Sequence, residues 1–225
     1  MPVYKIPKEL IFPDPELADE DGLLGVGGDL APERLLLAYG SGIFPWFSKG
    51  EPILWWSPDP RCVLYPEKLK ISTSLRQVLK KKDYEIRFDS CFADVIRNCS
   101  EAKRKGQRGT WITKEMQQAY IRLHELGFAH STEVFMDGAL AGGLYGVSIG
   151  RTYSGESMFH LRPEASKIAL FHLVERLKGW DFPLIDCQVT NKHLLSLGAE
   201  EMPRKEFLKQ LAKERDRKGK EGAWS

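Results

Sequence analysis

The dipeptide Asp137-Gly138 stands between two strand-like runs, residues 131–135 and 139–148. Asp-Gly is a strong hairpin signal, because both residues tolerate the positive φ that a two-residue turn demands. The chain is therefore predicted to double back here. A second reversal at Gly150 leads into residues 151–158, which makes a three-stranded antiparallel meander. Gly142, Gly143 and Gly146 thin its middle strand, which lets a ligand or another stretch of backbone come close. A helix is predicted over residues 163–178, with Ile168, Phe171, Val174 and Leu177 inward and Gly179 ending it.

After that helix comes Leu184-Ile185-Asp186-Cys187-Gln188-Val189, an apolar-ended run between Pro183 and Asn191 that reads as a buried strand. Side chains alternate along a strand, so Ile185, Cys187 and Val189 share one face and Asp186 and Gln188 the other. A carboxylate beside an amide on a buried strand is costly unless both groups are used. Either the pair caps a neighbouring loop, or it forms an acceptor-rich site that holds an amine. Residues 191–197 are predicted to be a helix ending at Gly198, with a last helix starting near Pro203.

Upstream, the cluster Gly22-Leu23-Leu24-Gly25-Val26-Gly27-Gly28-Asp29 matches neither G-x-G-x-x-G nor a P-loop, so its glycines read as turn formers. A helix starts at Pro32. The segments Gly42-Ile43-Phe44-Pro45-Trp46-Phe47 and Trp55-Trp56-Ser57-Pro58-Asp59-Pro60-Arg61 are dense in aromatics. Trp55 and Trp56 read as core, whereas Trp46, in a turn, reads equally as core or as a plate for a nucleobase. Residues 62–65 look like a strand, and a boundary between domains is expected near Pro66. Ser74, Ser90 and Thr113 are candidate N-caps for three further helices. Trp111 sits just ahead of the last of these, where it is either an aromatic plate beside backbone amides or a staple on its own helix.

The chain has 225 residues, of which 42% are hydrophobic, enough for a real core and against wholesale disorder. Its 33 basic and 31 acidic residues leave a net charge of +2, so only local clusters can attract a polyanion. One such cluster is Lys80, Lys81 and Lys82; another is Lys103, Arg104, Lys105 and Arg108. Each reads either as a phosphate contact or as solvated surface. The basic tail, residues 209–220, is expected to fray. Cys62, Cys91, Cys99 and Cys187 lack metal-ligand spacing and read as free thiols of a reducing cytoplasm. No apolar run reaches membrane length, so no membrane partner is expected. Cys187 with His193 is a conceivable thiol–imidazole pair, but Cys187 faces away from Asp186 and reads as structural.

From about residue 70 the order of elements is helix, strand, helix, helix, three antiparallel strands, helix, strand, helix. This resembles the N-acetyltransferase superfamily. The expected fold class is α/β (α+β). A small N-terminal α/β domain, residues 1–66, would precede a larger acyltransferase-like (GNAT-like) domain, residues 67–225, with a mixed, largely antiparallel sheet. Those enzymes seat the pyrophosphate of coenzyme A on a glycine-rich loop before the helix. Here that connection is Met158-Phe159-His160-Leu161-Arg162-Pro163, without glycine, so a coenzyme A donor is not expected.

Six segments together carry a more specific resemblance: Gly27-Gly28-Asp29-Leu30, the two aromatic motifs, Gly109-Thr110-Trp111-Ile112-Thr113, Gly155-Glu156-Ser157-Met158-Phe159 and Leu184-Ile185-Asp186-Cys187-Gln188. In this order they resemble the leucyl/phenylalanyl-tRNA–protein transferase family. The resemblance implies transfer of Leu or Phe from Leu-tRNA or Phe-tRNA to proteins with N-terminal Arg or Lys, marking them for N-degron proteolysis. It also implies a cytoplasmic, bacterial enzyme, taken to be a monomer. Asp186 and Gln188 would orient the amine, and Asp186 would pass on its proton. Glu156 would help hold the acceptor or the adenosine ribose, and Trp46 and Trp111 would clamp the terminal adenine. Leu144, Tyr153, Leu170 and Leu173 would line the donor side-chain pocket. Rival readings are a coenzyme A-dependent N-acetyltransferase and a non-catalytic module for tRNA acceptor ends.

Overall fold

A computed structural model describes residues 3–102, 110–220 and 222–224. The chain opens with β1 (Tyr4–Ile6), β2 (Leu23–Gly27), α1 (Pro32–Gly40), β3 (Phe44–Pro45) and β4 (Leu54–Trp56). These four strands form one sheet in the order β1-β2-β4-β3. It is built on aromatics. Trp55 is fully buried, donates its indole N–H to the Gly27 carbonyl at 2.8 Å and meets Phe12 edge-on at 4.8 Å. That is the core role expected of it.

The rest of the chain continues with β5 (Arg61–Leu64), α2 (Thr73–Lys81), β6 (Glu85–Phe88), α3 (Phe92–Glu101) and α4 (Lys114–Glu125). Then follow β7 (Ala129–Met136), β8 (Ala139–Ile149), β9 (Thr152–His160), α5 (Ala165–Gly179), β10 (Leu184–Gln188), α6 (Lys192–Ser196), β11 (Glu200–Met202) and α7 (Arg204–Arg215). Seven strands pair in the order β11-β5-β10-β9-β8-β7-β6. Only β9 and β10 run parallel; their neighbours are antiparallel. This is the mixed, largely antiparallel α/β sheet expected. β5 precedes residue 66 yet pairs with β10 and β11, so the change of sheet falls between Trp56 and Arg61.

The meander forms for the predicted reason. Asp137 and Gly138 both have positive φ, 52° and 75°, as a type I′ turn requires. The thin middle strand serves close packing of backbone. A Cβ on Gly142 would lie 2.6 Å from the Cβ of Ala165, so this glycine seats the first turn of α5. Leu144 packs in the cluster under α5, while Tyr145 and Val147 pack with α3 and α4, which places helices on both faces.

Some local expectations change. Ser72, not Ser74, caps α2 by accepting from the Leu75 N–H at 3.2 Å. Ser90 caps nothing; its hydroxyl donates to Glu133 at 3.1 Å. Phe171 is only half-buried, whereas Ile168, Val174 and Leu177 are inward as expected. The tail does not fray from residue 209. α7 continues to Arg215 and buries Phe207 and Leu211. Beyond it Trp224 is buried, stacks on His130 at 4.0 Å and donates its backbone N–H to Asp89 at 2.7 Å.

Candidate active site

The site grows from an irregularity in β10. Asp186 lies opposite Val63 and Gln188 opposite Cys62, so Cys187 is an inserted residue in a bulge. Gln188 adopts φ of 63°, a left-handed conformation that costs a non-glycine residue energy. In that conformation its side-chain amide donates to Glu156 Oε1 at 2.5 Å and its backbone N–H to Asp186 Oδ1 at 2.9 Å. Ser154 on β9 lies beside Asp186, and Glu156, two residues on, leaves the sheet on the same face.

Asp186 is 1% exposed. Its Oδ1 also accepts from Arg61 Nε at 2.8 Å, and its Oδ2 from Arg61 Nη2 at 2.7 Å and Ser154 Oγ at 3.3 Å. A carboxylate offers about four acceptor positions, and here all are taken. Arg61 is equally buried. It donates to the Gly42 carbonyl at 3.0 Å and lies over the rings of Phe44 and Phe207, at 5.0 and 4.6 Å. Asp186 is thus one half of a buried ion pair that holds Gln188 in place.

Glu156 is different. It is half-buried, and its Oε2 accepts from the Tyr120 hydroxyl at 3.3 Å. Tyr120 in turn hydrogen-bonds the hydroxyl of Tyr39. Burial pushes the Glu156 carboxyl up to about 7, and the Asp186 charge adds to this; hydrogen bonds from Tyr39, Gln188 and Tyr120 oppose it. Burial, and then the negative charge of Glu156, hold both tyrosines far above their ordinary value, so both are donors. The network runs from α1 through α4, β9 and β10 to β5, and so ties α1 to the seven-stranded sheet.

The other expected residues fall into groups. Leu144, Tyr153, Leu170 and Leu173 are all buried in one cluster with Ile185 and half-buried Met158. The Tyr153 hydroxyl donates to the His130 carbonyl at 3.3 Å, and its ring lies 5.6 Å from Trp224, so the C-terminal tail braces it. Trp46 is 37% exposed and rests on Trp56, ring centres 5.8 Å apart, while its carbonyl accepts from the Trp56 indole at 2.7 Å. Trp111 is half-buried against the core beside α3 and α4. Lys80, Lys81 and Lys82 are exposed at the end of α2. Lys103, Arg104, Lys105 and Arg108 lie outside the described residues.

Comparison with known proteins now bears on this geometry. The sequence profile described as leucyl/phenylalanyl-tRNA protein transferase matches residues 63–212, and that of its N-terminal domain matches residues 28–59. A leucyl/phenylalanyl-tRNA–protein transferase of Anaeromyxobacter sp. (strain Fw109-5) is 56% identical over all of this chain and 95% of its own length. That of Myxococcus xanthus (strain DK1622) is 54% identical over 100% of this chain and 97% of its own. The chain belongs to the leucyl/phenylalanyl-tRNA–protein transferase family. It is an aminoacyltransferase. Among solved structures, a ribosomal-protein-alanine N-acetyltransferase from Brucella melitensis biovar Abortus 2308 is similar at TM-score 0.35 and 12% identity, over 51% of this chain and 86% of that one.

In this transferase Tyr39 and Trp46 lie within the stretch that the N-terminal profile matches, and Trp111, Tyr120, Glu156, Asp186 and Gln188 within the stretch that the longer profile matches. Sequence reasoning missed Tyr39, Arg61, Ser154 and Tyr120. Tyr120 stands on the buried face of α4 with Met116 and Leu123, and Arg61 closes an aromatic motif. Neither context marks a partner so distant in sequence.

Proposed function

We propose that the transferase joins Leu or Phe, carried as an ester on the terminal adenosine of tRNA, to the α-amine of an N-terminal Arg or Lys, with Glu156 as the proton acceptor. The carrying observation is the contact between Gln188 and Glu156 beside a carboxylate that is already saturated. An α-amine has an ordinary pKa of about 8 and must be neutral to attack. A carboxyl held near 7 is well matched to take its proton. Because the Gln188 NH₂ is committed to Glu156, its carbonyl oxygen is left to accept from the amine and aim its lone pair.

The amine nitrogen then attacks the ester carbonyl carbon. The C–N bond forms, the bond from that carbon to the ribose oxygen breaks, and the proton passes from Glu156 to the leaving oxygen. Asp186 with Arg61 fixes Gln188 and takes no proton. Trp46 and Trp111 sandwich the terminal adenine, and the cluster around Leu144, Tyr153, Leu170 and Leu173 receives the donor side chain. The exposed Lys80, Lys81 and Lys82 track tRNA phosphates. Aminolysis of an ester runs downhill, so positioning and one proton transfer suffice without a cofactor. The enzyme acts as a monomer in a bacterial cytoplasm, and its products enter N-degron proteolysis.

The test supplies labelled Leu-tRNA and a peptide beginning with Arg, alongside the same peptide with an acetylated N-terminus. Label should reach only the free-amine peptide. Acetylation of that peptide from acetyl-coenzyme A, with no transfer from Leu-tRNA, would overturn the reading.

A further inference from the structure

Cys62 and Cys187 occupy adjacent strands at the point where β10 bulges, and both pack into the cluster on the α5 side of the sheet. The Cys187 thiol donates to the Ile185 carbonyl at 3.9 Å, and the register sets Cys187 beside Cys62. Cys62 is fully buried and Cys187 half-buried, so a small reagent reaches Cys187 first. The next residue after Cys187 is Gln188, the strained residue that links Glu156 to Asp186.

We propose that Cys62 and Cys187 form a reversible disulfide that switches the transferase site off by moving Gln188. Joining the sulfurs fixes them at about 2.05 Å and so pulls β10 toward β5. Cys187 is the inserted residue, so the bulge yields before the regular strand β5 does. The neighbouring Cys187 thiol holds the Cys62 thiol below its ordinary value, which suits Cys62 to the resolving step. The oxidant is a low-molecular-weight disulfide, RSSR. Cys187 sulfur attacks it, forming a mixed disulfide and releasing RS⁻; the neighbouring Cys62 thiol and burial hold the Cys187 thiol well above its ordinary value, so this is the slow step. Cys62 sulfur then attacks the Cys187 sulfur and releases the second RS⁻. The two thiol protons end on the released thiolates, and RSSR gains two electrons as two RSH. The effect on activity rests on the role given to Gln188 above; the linkage itself does not.

The experiment equilibrates the full chain in glutathione buffers of stepped oxidised-to-reduced ratio. Free thiols are then blocked, the protein is digested and the peptides are mapped by mass spectrometry, with single-turnover transfer measured in parallel. A peptide pair joining Cys62 to Cys187 should form as the ratio rises. Transfer should fall roughly a hundredfold, the scale of a misplaced reactive group, and return with dithiothreitol. Cys62→Ala should transfer normally when reduced and keep its activity when oxidised. Absence of the linked pair while Cys91 takes up glutathione would overturn the proposal, and needs no variant and no active enzyme. So would full transfer by the linked protein, or equal inactivation of Cys62→Ala.

Discussion

Asp186 and Glu156 stand on neighbouring parallel strands, face the same side of the sheet and both carry site roles implied by the family resemblance. Their surroundings differ. Asp186 has a guanidinium, a hydroxyl and a backbone amide filling its oxygens. Glu156 has an amide and phenolic donors and, among the described residues, no ion-pair partner. A carboxylate whose acceptor positions are all filled is held rigidly; a buried one without a cation is pushed toward neutrality and can exchange a proton near pH 7. Burial alone does not mark the catalytic carboxylate; what matters is whether its charge is already answered.

The largest expected effect separates the two on stability. Asp186→Ala leaves Arg61 as a buried, unpaired cation and should cost about 3–5 kcal/mol in urea unfolding. Replacing both, Arg61→Leu with Asp186→Leu, should recover much of that loss, because no orphan charge remains. If Asp186→Ala unfolds like the parent yet transfers a hundredfold more slowly, roughly what loss of a general base costs, Asp186 is the proton acceptor and the comparison inverts.

Next is Glu156→Gln, which keeps the shape and removes the ionisation. Transfer should fall by about 10²–10⁴-fold. In the parent the active, ionised form of Glu156 grows in as pH rises through about 7. The rate should therefore climb through that pH, with a further rise near 8, about where the amine itself titrates. The variant should keep only the rise near 8. For stability the sign is opposite. The raised carboxyl favours the folded state while protonated, and that advantage is lost as pH rises through about 7. Parent stability relative to Glu156→Gln should fall between the ordinary carboxyl range and pH 7, then level. A variant whose rate still climbs through pH 7 would place the base elsewhere.

How legible this was in the sequence follows from range. The meander rests on Asp137-Gly138, a local signal, and the buried strand at Leu184 on its own apolar run, so both could be read directly. The Arg61–Asp186 pair joins residues 125 positions apart, and nothing near Arg61 shows its partner. The bulge depends on β5 pairing with β10, so the left-handed turn of Gln188 had no local mark. The tail misled because charge dominates residues 209–220, while the anchoring residue, Trp224, comes after them.

Two tryptophans give a smaller contrast of the same kind. Trp46→Ala and Trp111→Ala should each weaken binding of an aminoacyl-adenosine analogue by roughly 1–3 kcal/mol. Trp46 is exposed, so its removal should leave the melting temperature nearly unchanged. Trp111 is half-buried and should lose both. Unaltered affinity with a lower melting temperature in either variant would return that residue to the core.

The smallest effect is expected at Lys80, Lys81 and Lys82, where the answered-versus-unanswered distinction moves to the surface. All are solvent-exposed at the C-terminal end of α2, where cations also suit the helix dipole. With a net charge of only +2, attraction to tRNA must come from patches such as this one. Side chains cannot read the narrow major groove of duplex RNA, so contacts here would sense phosphates and shape. Each phosphate neutralised contributes roughly 0.7–0.9 to the slope of log affinity against log salt. Changing all of these lysines to Gln should flatten that slope for whole Leu-tRNA and leave binding of a short aminoacyl-adenosine unchanged, because the short ligand cannot reach them. A salt titration of both ligands decides. Equal losses for long and short ligands would mean the cluster supports the pocket through α2, which packs Leu75 into the core. No loss for either would leave these lysines as solvated surface and move the phosphate contacts to Lys103, Arg104, Lys105 and Arg108.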